Sequence, residues 1–295
     1  MTAAAAARNA GWLRAMPAVF VLIWSTGFIV ARYGMPYAPP LKFLAVRYAL
    51  SLACFGFWVA LARVAWPKQR AQWGHLAVTG ILMQAGYLGG VWAAVHEGMG
   101  AGLVALLVGI QPVLTAGWMS FNGGRISKRQ WGGLALGFAG LVLVVSRKLG
   151  QGGEVSALTM GLALMALVSI TAGTLYQKRF VAPCDVRSAS AVQMAAALLV
   201  TLPFAALEPQ HIEWNLQSGG AMAWSVLALS LGGSSLLYML IQRGTATAVT
   251  SLLYLVPPCT AVMAWLLFSE PITLVTVLGI ALTAVGVSLV VRSER

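Results

Sequence analysis

Polar and aromatic side chains recur inside the long apolar stretches of this 295-residue sequence. Their amide, hydroxyl and ring groups can hydrogen-bond the polar end of a small molecule and stack on an apolar or aromatic body. The pattern predicts a binding site for bulky, partly apolar substrates. The same residue types also anchor helices at membrane interfaces or join neighbouring helices, and this alternative stays open for each of them. The predicted binding residues are Trp24, Ser25, Gln84, Tyr87, Trp92, Gln111, Thr171, Ser234, Tyr238 and Tyr254.

Three prolines, Pro112, Pro257 and Pro258, also lie inside apolar stretches. A proline removes a backbone donor and kinks a helix, which frees carbonyl groups for side chains, water or substrate. The ends of a broken helix can hold a carboxylate or an ammonium group without a full protein charge, which suits a zwitterionic amino acid. We therefore predict that Gln111, Pro112 and residues 254–258 flank the binding site. Ordinary kinks of membrane helices are the alternative.

The seven acidic residues all fall at the ends of apolar stretches or between them. Proton-coupled carriers usually keep an ionisable relay inside the helix bundle, so this distribution favours facilitated diffusion or a weakly coupled cycle. His96 and Glu97, at the end of the third stretch, are the candidates for proton coupling, with a solvated helix end as the alternative. The sequence contains no H-E-x-x-H, G-x-S-x-G or P-loop pattern, so we expect no enzyme activity, no cofactor and no metal site.

The composition places this chemistry in a membrane. Hydrophobic residues make up 59% and charged residues 9% of the chain, whereas soluble domains are about 25% charged. The mean hydropathy is +0.83. Although the net charge is +12, the 19 basic residues lie between the apolar stretches and not on one face, so they indicate orientation and not nucleic-acid binding. Three widely separated cysteines indicate neither a disulfide framework nor a zinc site.

Apolar stretches of spanning length predict an all-α integral membrane protein with ten transmembrane helices. Most basic residues fall on one side when the N-terminus is cytoplasmic, so we predict that both termini face the cytoplasm. The first stretch is predicted to be an uncleaved helix and not a signal peptide. The predicted spans are 16–33, 42–62, 74–95, 99–120, 131–146, 157–177, 188–207, 222–242, 246–268 and 272–291.

The sequence aligns with itself at a shift of 146 residues, as Gly27 with Gly173 and Pro112 with Pro258 illustrate. Because each half holds five spans, the halves must enter the membrane in opposite directions, which predicts two inverted-topology repeats around a central cavity and alternating access. The predicted organisation is a cytoplasmic N-terminus (1–15), a first repeat (16–148), a connecting loop (149–156), a second repeat (157–292) and a C-terminus (293–295).

Several motifs together resemble the EamA-type drug/metabolite transporter superfamily over nearly the whole chain. The motifs are Trp24-Ser25-Thr26-Gly27-Phe28, Arg47, Pro112 followed by 133–145, and Pro257-Pro258 followed by 269–273 and 279–291. Among bacterial members, the Trp and Tyr residues of spans 3, 8 and 9 make the chain most similar to YddG-type aromatic amino acid exporters. The halves differ where Gly124 stands opposite Glu270 and Gln193 opposite Arg47, so their roles are not assumed to be symmetric.

The resemblance implies a basket of ten helices whose cavity is built mainly from spans 1, 3, 4, 6, 8 and 9. Spans 5 and 10 would be peripheral, and their glycine faces suit either dimer contacts or packing within the chain. The predicted function is export of small organic metabolites, aromatic amino acids foremost, across the bacterial inner membrane by a monomer or homodimer. A proton-coupled carrier of drugs or cationic amphiphiles and a passive channel are the alternatives. The expected partners are the substrate and the lipid bilayer.

Overall fold

The protein is α-helical in this computed structural model, which describes residues 3–99, 101–123, 125–146, 156–244, 246–268 and 274–292. No strand occurs in those ranges. Short 3-10 turns at Met35–Tyr37 and Leu252–Leu255 connect some of the helices. The helices are α1 (Ala3–Gly34), α2 (Pro40–Leu61), α3 (Arg70–His96), α4 (Ala101–Val108), α5 (Gln111–Phe121), α6 (Lys128–Ser146), α7 (Ala157–Phe180), α8 (Val186–Leu207), α9 (Leu216–Arg243), α10 (Ala246–Ser251), α11 (Val256–Phe268) and α12 (Leu274–Arg292).

Within the described residues, seven helical stretches are long and apolar enough to cross a membrane. The predicted fourth span is instead divided into α4 and α5 at Gly109 and Ile110, because Pro112 lies in the first turn of a new helix. The predicted fifth span falls within α6, and the predicted tenth span lies within α12 from residue 274 onward, its first two residues falling outside the described residues. The count of ten spans stays a prediction. The seven stretches are Ala15–Tyr37, Pro40–Leu61, Arg70–His96, Ala157–Phe180, Val186–Leu207, Leu216–Arg243 and Val249–Leu267.

Some sequence predictions fall outside the described residues. These are Gly124 and Glu270, the C-terminus 293–295 and the connecting loop 149–156 up to its last residue. That last residue, Ser156, caps α7, because its Oγ accepts a hydrogen bond from the Thr159 amide at 3.1 Å. The Ser156 amide donates to Thr159 Oγ1 at 2.9 Å, which completes a capping box.

The closest helix pairs join the first half of the chain to the second. Helix α6 packs along α12, α2 along α8 and α3 along α7, while α1 contacts α9 and α11. The bounds of α2 and α8 differ by 146 residues at both ends. This is the shift at which the sequence aligns with itself. The opposite orientation of the two halves stays a prediction.

Glycines let α6 and α12 approach to backbone contact. A Cβ atom at Gly133 would lie 2.7 Å from the Gly286 carbonyl oxygen, and one at Gly286 would meet the backbone of Gly137. A Cβ atom at Gly140 would likewise meet Thr283 Oγ1. Of the two uses open to these glycine faces, packing within the chain is therefore the one that the structure shows.

Helices α3 and α9 both contain a π-helical segment near the middle, Ile81–Gly86 in the first and Ser225–Ser234 in the second. A π-helical turn widens the helix and offsets its carbonyl groups, and such turns are frequent at functional sites. Tyr48 Oη donates to the Gln84 carbonyl oxygen in the first segment at 2.7 Å. The segment Ser225–Ser234 packs against α1 and α2, and the segment Ile81–Gly86 packs against α7 and α8.

Glu208 holds the start of α2 from the far end of α8. Its two carboxylate oxygens accept hydrogen bonds from the amides of Leu41 at 2.9 Å and Lys42 at 2.7 Å. These are the first free donors of α2, because Pro40 has no N–H. Replacing Glu208 with alanine leaves both donors without this carboxylate and is expected to lower the free energy of unfolding by about 1–2 kcal/mol. Thermal unfolding in detergent, followed by circular dichroism, measures the change.

Glu213→Ala is the matched control for Glu208→Ala. The backbone amide of Glu213 donates to the Tyr37 carbonyl oxygen at 2.8 Å, and this bond survives truncation of the exposed side chain. We expect this control to unfold at the wild-type temperature. Equal unfolding temperatures for the two variants would contradict the capping role of Glu208.

Candidate functional site

Arg47, in the second turn of α2, is the one cationic residue that is buried among those whose burial the structure describes. Arg47 is 3% exposed, and its Nε donates to Ser230 Oγ in the π-helical segment of α9 at 2.9 Å. No carboxylate of the described residues pairs with it. A charged group within a membrane span is costly and usually marks a functional position. Arg47 therefore carries an uncompensated positive charge between the two halves of the chain.

Aromatic side chains surround this charge. The rings of Trp24 and Tyr87 are parallel to within 3°, with centroids 6.2 Å apart. Trp92 stacks on Phe43 at 4.9 Å, and Phe20 lies against Trp24 at 5.3 Å. Helices α1 and α3 supply most of these rings because their residues at one-turn spacing share a face. The arrangement gives a cation an apolar, ring-lined surrounding.

A small cavity of about 30 Å³ is lined by Arg47 and by the aromatic residues Trp24, Phe28, Tyr87 and Trp92. A buried water needs about 10–15 Å³ by this measure, so the cavity has room for about two waters. Sites for small organic ligands are about 300–1,000 Å³. A substrate would therefore require α1, α2, α3 and α9 to move apart. The lining residues are Trp24, Gly27, Phe28, Arg47, Tyr87, Leu88, Val91, Trp92 and Leu229.

Gln84 and Ser234, both predicted binding residues, contact each other and do not line the cavity. Gln84 Nε2 donates to Ser234 Oγ at 3.4 Å, one helical turn from the Ser230 that holds Arg47. Gln84 Oε1 and Ser235 Oγ are buried and have no hydrogen-bond partner in the described part of the chain. Buried polar atoms of this kind are rare, and each needs an explanation such as water or a ligand.

A second polar group forms where α5 meets α7. Gln111 Nε2 donates to Thr174 Oγ1 at 3.1 Å, whereas Gln111 Oε1 and Thr115 Oγ1 are buried with no partner among the described residues. Pro112 begins α5 at this point. None of these residues lines the cavity around Arg47. They form a separate polar surface inside the bundle.

Pro257 and Pro258 lie in the first turn of α11, directly after the 3-10 turn that contains Tyr254. Tyr254 is fully buried, and its hydroxyl has no hydrogen-bond partner among the described residues. Its ring fills the space that a side chain at Gly137 would occupy. The prolines therefore start a new helix after a break, and Tyr254 packs against α6 and not against the cavity.

The remaining predicted residues bond to other parts of the protein and do not line the cavity. Thr171 Oγ1 donates to the Leu167 carbonyl oxygen within its own helix at 2.7 Å, and Ser25 Oγ lies 2.6 Å from the Val21 carbonyl oxygen in its own helix and 3.4 Å from the Val256 carbonyl oxygen in α11. Tyr238 Oη lies 3.1 Å from Cys184 Sγ in a separate apolar cluster. Sequence alone does not separate such satisfied residues from ones that face a cavity.

His96 and Glu97, the predicted candidates for proton coupling, are exposed where α3 ends. The chain leaves the helix through Gly98, whose φ of 95° suits a glycine, and the Met99 amide donates to the Ala94 carbonyl oxygen at 2.9 Å. Trp92, one turn earlier, is the nearest predicted residue that lines the cavity. Both ionisable groups therefore lie at the rim and not beside Arg47.

Comparison with known protein families finds the same family in each half of the chain. The EamA-like transporter family matches residues 15–146 and, a second time, residues 157–292. The chain belongs to the EamA-like transporter family. It is therefore a multi-pass membrane transporter of the EamA type.

Curated relatives of this EamA-type transporter cover most of its length. The "Uncharacterized transporter YvbV" of Bacillus subtilis strain 168 is 27% identical over 92% of this chain and 89% of its own. The "Uncharacterized inner membrane transporter YedA" of Escherichia coli K12 is 27% identical over 82% of this chain and 78% of its own. The "Probable amino-acid metabolite efflux pump" of the same strain is 23% identical over 90% of each chain.

A solved crystal structure shares the fold, with a TM-score of 0.76 over 95% of this chain and 96% of the other. The sequence identity is 18%, so this likeness concerns the fold alone.

Of the ten predicted binding residues of this EamA-type transporter, the structure places Trp24, Tyr87 and Trp92 on the cavity wall. It adds Arg47, which the sequence analysis noted within the second span without assigning it to the site. The signal that identifies it is its charge, because an arginine in a membrane span is rare without a function. Its partner Ser230 carries no such signal.

Proposed function

We propose that this EamA-type transporter exports small organic metabolites, with aromatic amino acids as its principal substrates, by alternating access between two inverted repeats. The observation that carries the proposal is the ring-lined cavity of Trp24, Tyr87 and Trp92, since aromatic faces bind apolar and aromatic bodies. The name of the Escherichia coli relative, an amino-acid metabolite efflux pump, also supports it. This is the YddG-type activity that the sequence resembles.

The internal shift of 146 residues supports the alternating-access mechanism. Helix bounds that recur at one shift suit two five-helix units that exchange conformations around a central site. The small volume of the cavity suits a closed arrangement between an inward-open and an outward-open state. With both termini in the cytoplasm, as the basic residues favour, export would run from the side on which the chain ends lie.

We propose that transport is facilitated diffusion and is not coupled to a proton gradient. The cavity lining holds Arg47 and no carboxylate, so it offers no acidic group that would exchange protons with the substrate step. The same charge disfavours the cationic amphiphile that is the main alternative substrate, because like charges repel strongly in a poorly solvated site.

Reconstituted liposomes test the proposal. We expect labelled phenylalanine to enter with saturable kinetics, to be competed by tryptophan, and to show counter-flow when liposomes are preloaded with unlabelled substrate. An imposed pH gradient should leave the rate unchanged, because His96 and Glu97 lie away from Arg47.

Protein-free liposomes serve as the control for leak. Non-saturating flux without counter-flow would identify a passive channel and contradict alternating access. Flux of cationic amphiphiles without flux of phenylalanine would contradict the proposed substrate. Dependence on the pH gradient would contradict facilitated diffusion, and His96→Gln and Glu97→Gln would then be compared for loss of that dependence.

A further inference from the structure

We infer that Arg47 is the residue that recognises the carboxylate of the substrate, and that the substrate class therefore extends to aryl-substituted carboxylic acids that lack an amino group. This inference rests on the proposed function, since it assigns a chemical role to one side of the same cavity. It also predicts which part of an aromatic amino acid the site reads.

The first step is the state of the guanidinium group. Arginine stays protonated in proteins and carries five N–H donors in a planar fork. Ser230 Oγ takes the Nε donor at 2.9 Å, and the described residues offer no hydrogen-bond acceptor to the four terminal donors. Because Arg47 also lines the cavity, these donors are available to a molecule that enters it.

The second step is the free-energy cost of burying the Arg47 charge without an opposite charge. Burying a charge without an opposite charge is strongly unfavourable, and Ser230 supplies only a neutral hydroxyl. A salt bridge within the protein would offset the cost, yet no acidic side chain of the described residues pairs with Arg47. A carboxylate delivered by the substrate can provide the missing partner in the paired, two-bond geometry that guanidinium groups favour.

The third step is the position of the rings relative to the charge. Tyr87 and Trp92 lie one to two turns apart on α3, and Trp24 faces Tyr87 from α1, all on the same cavity as Arg47. A molecule with a carboxylate at one end and an aromatic body at the other matches this arrangement of cation and rings. The lining holds no acidic side chain, so an ammonium group finds no opposite charge there.

A pair of ligands that differ only in charge tests the inference. Binding of 3-phenylpropionate and of its neutral isostere 3-phenylpropionamide to the purified full-length protein is measured by isothermal titration calorimetry. We expect the acid to bind at least about tenfold more tightly than the amide, because a charge-assisted pair of hydrogen bonds is lost in the amide. Phenylalanine should show the same preference over phenylalaninamide.

Variants of Arg47 test whether this side chain causes the preference for the acid. In Arg47→Gln the preference for the acid should fall to within about twofold, because the ligand charge no longer has a partner. Arg47→Lys keeps the charge without the fork and should retain an intermediate preference. Arg179→Gln, which removes an exposed arginine at the end of α7, should keep the full wild-type preference.

The outcomes separate this inference from the proposed function. Equal binding of acid and amide to the wild-type protein would overturn the inference, and this comparison needs no variant to fold. An acid preference that persists in folded Arg47→Gln would overturn it as well. Arg47-dependent binding of the acid in a protein that moves no phenylalanine would sustain the inference while contradicting the proposed export. Should Arg47→Gln not fold, Ser230→Ala, which frees Nε and leaves the charge, is expected to keep the acid preference, and its loss would count against the inference.

Discussion

The substitution Gly133→Leu is expected to separate α6 from α12 and to lower the free energy of unfolding by about 3 kcal/mol or more. The backbone of Gly286 and the side chains of Leu289 and Val290 already lie where the first side-chain atom would go, at 2.7, 3.1 and 2.9 Å. A backbone carbonyl on a rigid helix cannot rotate away as a side chain can. The helices must therefore move apart along a contact that runs for most of their length.

Gly132→Leu provides the matched control, since it adds the same side chain to the same helix one residue earlier. A Cβ at Gly132 meets no atom within 4 Å, and the position is exposed. We expect wild-type thermal unfolding in detergent for Gly132→Leu and a lower midpoint, or loss of the monodisperse protein, for Gly133→Leu. Matching stabilities for the two variants would show that α6 and α12 do not pack as described.

The helical framework followed from the sequence because apolar length and proline position act locally. The predicted spans 42–62 and 188–207, which are related by the shift of 146 residues at their start, correspond to α2 and α8. The prediction of a helical, multi-pass membrane protein of the EamA-type family is confirmed. The sequence predicted a kink at Pro112 but kept the fourth span continuous over 99–120, whereas the structure ends one helix at Val108 and begins the next at Gln111.

The candidate site was only partly predictable, since it depends on contacts between residues far apart in sequence. Arg47 and Ser230 are separated by 183 residues, and nothing in either half indicates that they meet. Thr171 is a polar residue in an apolar stretch, as Ser234 is, but its hydroxyl donates to a carbonyl oxygen of its own helix. Which polar residue faces the cavity is decided by helix rotation, which a hydropathy pattern constrains weakly.

The helices around the site also explain how a 30 Å³ cavity could serve a larger substrate. Both α3 and α9 contain a π-helical segment, where backbone hydrogen bonding departs from the regular α pattern, and the segment of α9 includes Ser230, which bonds Arg47. Gln84 Oε1 and Ser235 Oγ, which have no partner among the described residues, belong to these segments or adjoin them. Motion of these segments would widen the cavity without breaking the regular helices on either side.

Replacing Trp24 with alanine is expected to raise the half-saturation concentration for phenylalanine transport about tenfold, because one of the aromatic faces of the cavity is removed. Trp24 lies parallel to Tyr87 and lines the cavity beside Arg47. Leucine has no ring to stack, so its half-saturation concentration, if it is carried, should rise much less. The measurement is uptake of both labelled amino acids into liposomes across a range of concentrations, with thermal unfolding to establish that the variant is folded.

Trp118→Ala is the control for Trp24→Ala, since Trp118 is 57% exposed on the outer surface of α5. Its removal should leave the half-saturation concentrations of both amino acids unchanged. Trp24→Phe, which keeps a smaller ring, should recover most of the affinity for phenylalanine. An equal loss for phenylalanine and leucine in Trp24→Ala would show that Trp24 supports the shape of the bundle, and the aromatic selectivity would then have to come from Tyr87 and Trp92 alone.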